Sequence, residues 1–269
     1  GELELTSLAR EHLLEGCDFY VGDYVRLAAD NPSVLAMVDS LRADRPRGSD
    51  PEEGGAAYIY RDGIKSAMED EEAARFLTMA LAGRAANVAP LLARAALLGG
   101  SKLLLDVAAG SGIYSAALLQ ANPGLRAIAW ERPEVVKVAL ELAGEYGLGD
   151  RLECVSADMF VDEVPPGVDA ILLSNVLHDW DVRECRELVT RLAAALPPGG
   201  KLLVHDVFLN DELDGPLPIA LYSAALFSLT EGRAYSAAEY RSWMEEAGLQ
   251  PGEITPTLVH CGVLAGVKV

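Results

Sequence analysis

The chain has 269 residues, and its 41 acidic side chains against 22 basic ones give a formal net charge of −19, a field that repels phosphate backbones and anionic lipid and so argues against nucleic acid or a membrane surface as partner. Its four cysteines, Cys17, Cys154, Cys185 and Cys261, form no C-x-x-C pair, which argues against a zinc site or a disulfide framework. No apolar run reaches the roughly 18 residues of a membrane span and no signal peptide stands at the start, so a cytoplasmic protein is expected.

In chain order, Glu2–Thr6 alternates like a strand and Ser7–Leu14 reads as helical. Tyr24, Leu27, Ala28, Val34, Leu35, Val38 and Leu41 give residues 21–45 a helical pattern. D-P-E-E-G-G at 50–55 is a loop. Residues 67–98 are strongly helical, with Gly99-Gly100 as the stop signal.

Beyond Gly100 strands and helices alternate. The run Leu103-Leu104-Leu105 suits a central strand buried on both faces. It ends at Asp106, passes through the small-residue turn Ala108-Ala109-Gly110-Ser111-Gly112, and enters a helix over 112–121. Such a turn lets a ligand lie against backbone N–H groups at a helix N-terminus. Strands follow at 125–131, 151–156, 168–174 and 201–206, with helices from Pro133 and over 182–196. Asp181 with Glu184, and Ser236 with Glu239, have capping-box spacing. Residues 217–231 form an apolar helix, and 253–259 with 261–268 read as a hairpin. Five βα units and a terminal hairpin imply an α/β fold: a doubly wound, Rossmann-like sheet of seven strands with one antiparallel strand.

In open α/β sheets ligands bind at the carboxyl ends of the strands. Those ends carry the glycine turn with Asp106, Ala108, Gly110 and Gly112; Glu131 with Arg132; Asp158 with Met159; Ser174 and Asn175 with His178 beyond them; and Asp206. Glu131 lies about twenty residues past Gly110, as a ribose-hydroxyl acceptor would. A carboxylate at Asp158 can accept from an adenine amino group, and Met159 can pack on the ring. Taken singly, each has a plainer reading: a solvated strand end, a turn cap, core packing, or a structural histidine.

The segments D-V-A-A-G-S-G (106–112), E-R-P-E-V-V (131–136), A-D-M-F (157–160), L-H-D-W (177–180) and A-L-P-P-G-G-K-L-L-V-H-D (195–206) resemble, in this order, the S-adenosylmethionine-dependent O-methyltransferases of the caffeic-acid, hydroxyindole and bacterial polyketide type. The resemblance covers nearly the whole chain. It implies a winged-helix dimerisation domain ahead of the catalytic domain, with L-T-S-L-A-R-E-H-L (5–13) similar to its end and several tens of residues preceding it. The implied layout is a remnant of that domain over 1–20, a helical linker and dimerisation region over 21–100, and a cofactor-binding catalytic domain over 101–269, in a homodimer.

By resemblance, the glycine turn holds the methionine end of S-adenosylmethionine, Glu131 the ribose, and Asp158 and Met159 the adenine. Ser174 takes the place of an adenine-contacting lysine, His178 is the general base, Asp206 orients it, and Arg84 clamps the cofactor carboxylate; the product is S-adenosylhomocysteine. Two departures stand out. Ala108 and Ala109 replace frequent glycines, so the backbone is expected to avoid left-handed angles there. Ala234 falls where plant relatives carry a second acidic residue beside the base.

Methyl transfer requires the acceptor atom about 3 Å from the methyl carbon. A hydroxyl acceptor must also lose its proton, which an imidazole can take near neutral pH. His205 is a second acid–base candidate on the opposite side of its strand from Asp206. Tyr222, Leu226 and Phe227 are expected to line the pocket of a small-molecule acceptor, aromatic or polyketide-like, with no metal. Alternatives are an NAD-dependent oxidoreductase, disfavoured by Ser115 at the third glycine position; a catalytically silent binding partner or regulator; and a C- or N-methyltransferase.

Overall fold

The computed structural model describes residues 4–26, 29, 31–43, 66–96, 98–227, 230–258 and 260–269. The chain divides into two compact units, Gly1–Gly55 and Ala56–Val269. In the first, α1 spans Ser7–Leu13, α2 Gly22–Arg26 and α3 Pro32–Ala43. The alternation at 4–6 builds no strand: Thr6 is instead the N-cap of α1, its hydroxyl accepting from the Ala9 amide at 3.1 Å. The helical pattern over 21–45 is split, because Pro32 opens a new helix rather than continuing the old one. The expected loop at 50–55 lies outside the described residues.

The second unit begins with α4, Glu71–Ala95, capped by the Asp70 carboxylate on the Ala73 amide at 3.0 Å. Its small buried residues, Ala74, Thr78, Ala82, Ala85 and Ala89, recur every three or four positions. They let α4 pack closely on α5 (Ile113–Ala121) and α6 (Pro133–Glu145). The helix ends with Ala96 in an extended conformation, so Gly99-Gly100 forms a separate turn, with Gly100 at φ 91°. By length and composition α4 could cross a membrane, and it is the one such helix among the described residues. Here one face of it packs on α5 and α6 while Phe76, Met79 and Leu81 stay exposed.

Parallel strands β1 (Leu103–Val107), β2 (Arg126–Glu131), β3 (Leu152–Ser156), β4 (Ala170–Ser174) and β5 (Lys201–Leu209) form the body of the sheet. With β7 (Leu249–Pro251) and β9 (Cys261–Lys268) the order is β3-β2-β1-β4-β5-β9-β7, the expected seven strands, with β9 antiparallel to both neighbours. Two short strands lie off this path: β6 (Tyr235–Ser236) pairs with β5, and β8 (Thr255–Pro256) with β9. The expected hairpin strand 253–259 thus shrinks to two residues, one of them a proline without an amide hydrogen. Strand β5 runs to Leu209 rather than Asp206, because β9 pairs with it as far as Val207 and β6 with Phe208 and Leu209.

The two faces are covered separately. Leu104, Leu172 and Leu203 pack with α4 and α5; Leu105, Ile171 and Val204 pack with α7 (Val182–Ala195) and α9 (Ala237–Glu246). Residues 157–169, between β3 and β4, contain no helix, so one of the five βα units is a strand followed by a loop. The Ser236–Glu239 capping box is formed, whereas Asp181 caps only the Val182 amide and Glu184 pairs with Arg183. The apolar α8 stops at Leu226.

Candidate active site

The glycine turn joins β1 to α5. Ala108, Gly110 and Gly112 take φ of 53°, 57° and 72°. Ala108 therefore adopts the left-handed conformation that an alanine was expected to avoid; the tight turn overrides the local preference. That geometry costs an L-residue about 1–2 kcal/mol. Ala108→Gly relieves it while adding about 0.4–1 kcal/mol of unfolded-chain entropy. A net stabilisation of about 0.5–1 kcal/mol, or about 1–3 °C in Tm, is expected by calorimetry, and a lower Tm would show that the alanine methyl is a needed contact.

Asp106, at the end of β1, is buried and accepts from the Ser115 hydroxyl at 2.7 Å. Burial raises its pKa to about 7, against the lowering effect of that hydrogen bond. Ser115 occupies the third position of a dinucleotide fingerprint, and a glycine there would leave the Asp106 carboxyl without its partner. Glu131 turns back to the same place: Oε1 accepts from the Gly110 amide at 2.9 Å and Oε2 from the Arg132 amide at 2.7 Å. Burial raises its pKa too. Each oxygen keeps a free lone pair. The Arg132 guanidinium turns away, to Glu69 at 3.1 Å, so this residue serves the site through its backbone.

Beyond β3, the Asp158 carboxylate accepts from the Phe160 amide at 2.8 Å and caps a turn. Arg191 on α7 holds that turn by donating to the carbonyls of Met159, at 2.9 Å, and Asp162. Phe160 packs edge-on against Trp180 with ring centroids 4.6 Å apart, joining the turn after β3 to the one after β4.

At the end of β4, Asn175 takes φ 56° and swings the chain into the short 3-10 turn Leu177–Asp179. There His178 is 4% exposed, with Nδ1 2.8 Å from Oδ1 and 2.9 Å from Oδ2 of Asp206. Asp206 also accepts from the Val207 amide at 2.8 Å and from the Tyr240 hydroxyl at 3.5 Å. On the other side of the ring, Nε2 lies 3.4 Å from the Tyr222 hydroxyl and 3.6 Å from Oδ1 of Asp179. That Asp179 oxygen is buried without a hydrogen bond. Gly232 packs so closely on the His178 carbonyl and the Trp180 amide that a Cβ would overlap both.

Ala234 is buried in a small apolar cluster with Val207, Leu209, Ile219 and Cys261, so no carboxylate stands there. The second carboxylate beside the imidazole is that of Asp179, the next residue along the chain, with Oδ1 3.6 Å from Nε2. Tyr240 was missed because only the tertiary fold brings α9 to β5. Tyr222 lies on α8 (Leu217–Leu226), and Leu226, one turn further on, is buried; Phe227 follows as the helix cap. Arg84 reaches from α4 to Oδ1 of Asn175 at 3.3 Å and to Sγ of Cys261 at 3.4 Å. The Ser174 hydroxyl is engaged by Nδ1 of His205 at 2.8 Å.

Burial opposes charge on His178, but the charges of Asp206 and Asp179 outweigh it and raise the imidazole pKa to about 9. Asp179 is raised to about 6, first by burial, with His178 pulling it down. His205 is lowered to about 4, first by burial, which the Asp206 charge opposes and the Arg84 charge reinforces.

The turn, Glu131 and the His178–Asp206 pair share one rim of a doubly wound sheet, the edge where α/β enzymes of this class hold a nucleoside, with a buried imidazole beside it. Residues 52–250 match the O-methyltransferase domain family, and the chain belongs to that family. It is 31% identical over 274 residues to the 3-hydroxy-5-methyl-1-naphthoate 3-O-methyltransferase of Streptomyces sahachiroi, covering 100% of this chain and 76% of the relative. It is 33% identical over 183 residues to the mitomycin biosynthesis 6-O-methyltransferase of Streptomyces lavendulae, covering 68% of this chain and 51% of the relative. Among solved structures, an O-methyltransferase family 2 protein from Planctomyces limnophilus, in complex with apigenin, is 48% identical with a TM-score of 0.83, over 99% of this chain and 75% of that one.

S-adenosylmethionine is the cofactor of this enzyme class. The residues present fit it: a Cβ built at Gly110 meets nothing within 4 Å, so the turn is open in front, and Glu131 faces it with acceptor capacity to spare.

Proposed function

We propose that the chain methylates a hydroxyl of a small, planar aromatic or polyketide-like molecule. The observation that carries this reading is the buried His178–Asp206 pair on the rim that also bears the glycine turn and Glu131. Both the naphthoate-methylating relative and the apigenin-bound structure concern planar phenolic molecules, which supports the acceptor class.

Asp106, the turn from Ala108 to Gly112, Glu131, the Arg132 backbone, Asp158, Met159, Ser174, Asn175 and Arg84 would hold the cofactor. When bound, S-adenosylmethionine supplies a methyl group on a sulfonium. The work of the chain is to place the acceptor and remove its proton. In the reactive state Nδ1–H of His178 donates to Asp206, leaving the Nε2 lone pair to take the hydroxyl proton. Tyr222, 3.4 Å from Nε2, gives way to the acceptor, with Leu226 and Phe227 beside it on the apolar side. The exposed Phe76, Met79 and Leu81 on α4 support a homodimer. Four free cysteines fit a reducing, cytoplasmic setting.

A panel of phenols, amines and activated carbon acceptors, incubated with S-adenosylmethionine and read by mass spectrometry, tests the reading. Methyl ethers of one or more phenols are expected. Methylation confined to nitrogen or carbon acceptors would replace the O-methyltransfer reading, and no methylation with intact cofactor binding would favour a silent partner.

A further inference from the structure

His205 lies one residue before Asp206 and is directed to the other face of β5, fully buried. The proton transfer assigned to His178 does not use it. Its ring joins a chain of polar contacts. Arg84 Nη1 lies 3.3 Å from Oδ1 of Asn175; because a guanidinium only donates, this contact fixes which end of the carboxamide faces it. Asn175 Nδ2 must then donate to the Ser174 hydroxyl, at 3.2 Å, and to the Tyr114 hydroxyl, at 3.4 Å. Ser174 receives that bond, so its one proton is available for His205 Nδ1 at 2.8 Å. With Nδ1 accepting, Nε2 carries the hydrogen and donates to Oγ1 of Thr257 at 3.1 Å. Along this chain from Arg84 to Thr257 every link donates in the same direction.

We propose that His205 is a positioning residue for the cofactor site: as the Nε2–H tautomer it ends a one-way hydrogen-bond chain through Ser174 that locks the Asn175 carboxamide, and Arg84 with it, in the orientation that meets the ligand. The left-handed Asn175, φ 56°, is where β4 breaks into the segment bearing His178, and its amide donates to the His205 carbonyl at 2.9 Å, which ties its backbone to the same residue. Burial, which lowers the His205 pKa to about 4, keeps the ring uncharged and its acceptor nitrogen available at working pH.

The inference rests on the placement of Asn175 and Arg84 in the cofactor site made above. Titration calorimetry with S-adenosylhomocysteine tests both, on the wild type, Ser174→Ala, His205→Leu, His205→Asn, Asn175→Ala and the Ser174→Ala/Asn175→Ala double variant, with thermal melts alongside. Ser174→Ala and His205→Leu should weaken binding about tenfold, the scale seen when a side chain that orients a ligand-contacting residue is lost. Turnover of His205→Leu at saturating cofactor should change less than about threefold, a KM effect rather than a kcat effect. His205→Asn, which restores an acceptor near the Nδ1 position, should recover most of the affinity. The double variant should bind no more weakly than Asn175→Ala alone, because the two changes act through one chain. Unchanged affinity in Ser174→Ala overturns the inference, and so do fully additive losses in the double variant. Should His205→Leu fail to fold, the non-additivity of the Ser174→Ala/Asn175→Ala double variant decides. A wild-type chain that does not bind S-adenosylhomocysteine overturns the functional reading and this inference together; normal wild-type binding with unaffected variants overturns the inference only.

Discussion

His178→Gln should lower kcat by about 10²–10⁴-fold, the range a positioned general base contributes, while S-adenosylhomocysteine affinity stays within about twofold of wild type. Nε2 of His178 faces the Tyr222 hydroxyl, on the acceptor side, while the hydrogen bonds that shape the glycine turn and Glu131 are made without it. Glutamine keeps polarity and approximate volume but cannot take a proton. Alanine is the poorer probe, because it leaves Asp206 and Asp179 buried with no cation between them, and breaking a buried pair in this way costs about 3–5 kcal/mol. A melt and a cofactor titration on the same sample separate lost chemistry from lost fold. Full turnover in His178→Gln would remove the imidazole from the mechanism.

The second large effect is on pH. With its pKa raised to about 9 by Asp206 and Asp179 against the cost of burial, the resting His178 is an imidazolium at neutral pH. At pH 7 only about one molecule in a hundred holds the neutral base, so kcat/KM should climb about tenfold per unit from pH 7 and level off above about 9. Asp206→Asn removes one of the charges that hold the proton. Its rising limb should move at least about one unit toward lower pH, with a lower plateau because the carboxamide orients Nδ1–H less well. Stability follows the same proton with a definite sign. A folded pKa above the ordinary 6.5 means the folded chain binds the proton more tightly than the unfolded one. The stabilisation is complete below pH 6.5 and is lost as pH rises through about 9. It is on the order of 3 kcal/mol, and Asp206→Asn should flatten that part of the Tm profile. A limb that stays in place in Asp206→Asn would show that another group controls the rate.

The α/β class and the five parallel strands with their shared rim were readable, because buried parallel strands leave continuous apolar runs such as Leu103–Leu105 and Ile171–Leu173. The turn at 106–112 was readable as a turn but not in its angles: nothing local requires Ala108 to be left-handed, and only closure between β1 and α5 imposes it. Elements at the margins were least legible. The strand expected over 253–259 keeps only the two residues opposite β9, and Asp181 satisfies a nearer amide than the capping-box pattern implies. At the rim, the residues carried by the strand ends could be placed by position. Those supplied from a distance, Tyr240 on Asp206 and Thr257 on His205, carry no mark in the chain, since 34 and 52 residues separate each from its partner.

Strand β5 sends Asp206 to one side and His205 to the other, and the strand itself then works as a partition between two unlike environments. The imidazole held by Asp206 keeps its proton up to pH about 9, whereas the one on the opposite side has already shed its own above about 4. Throughout that five-unit interval the protein carries one cationic and one uncharged ring across the thickness of a single strand. Near neutral pH, well between the two values, that asymmetry holds.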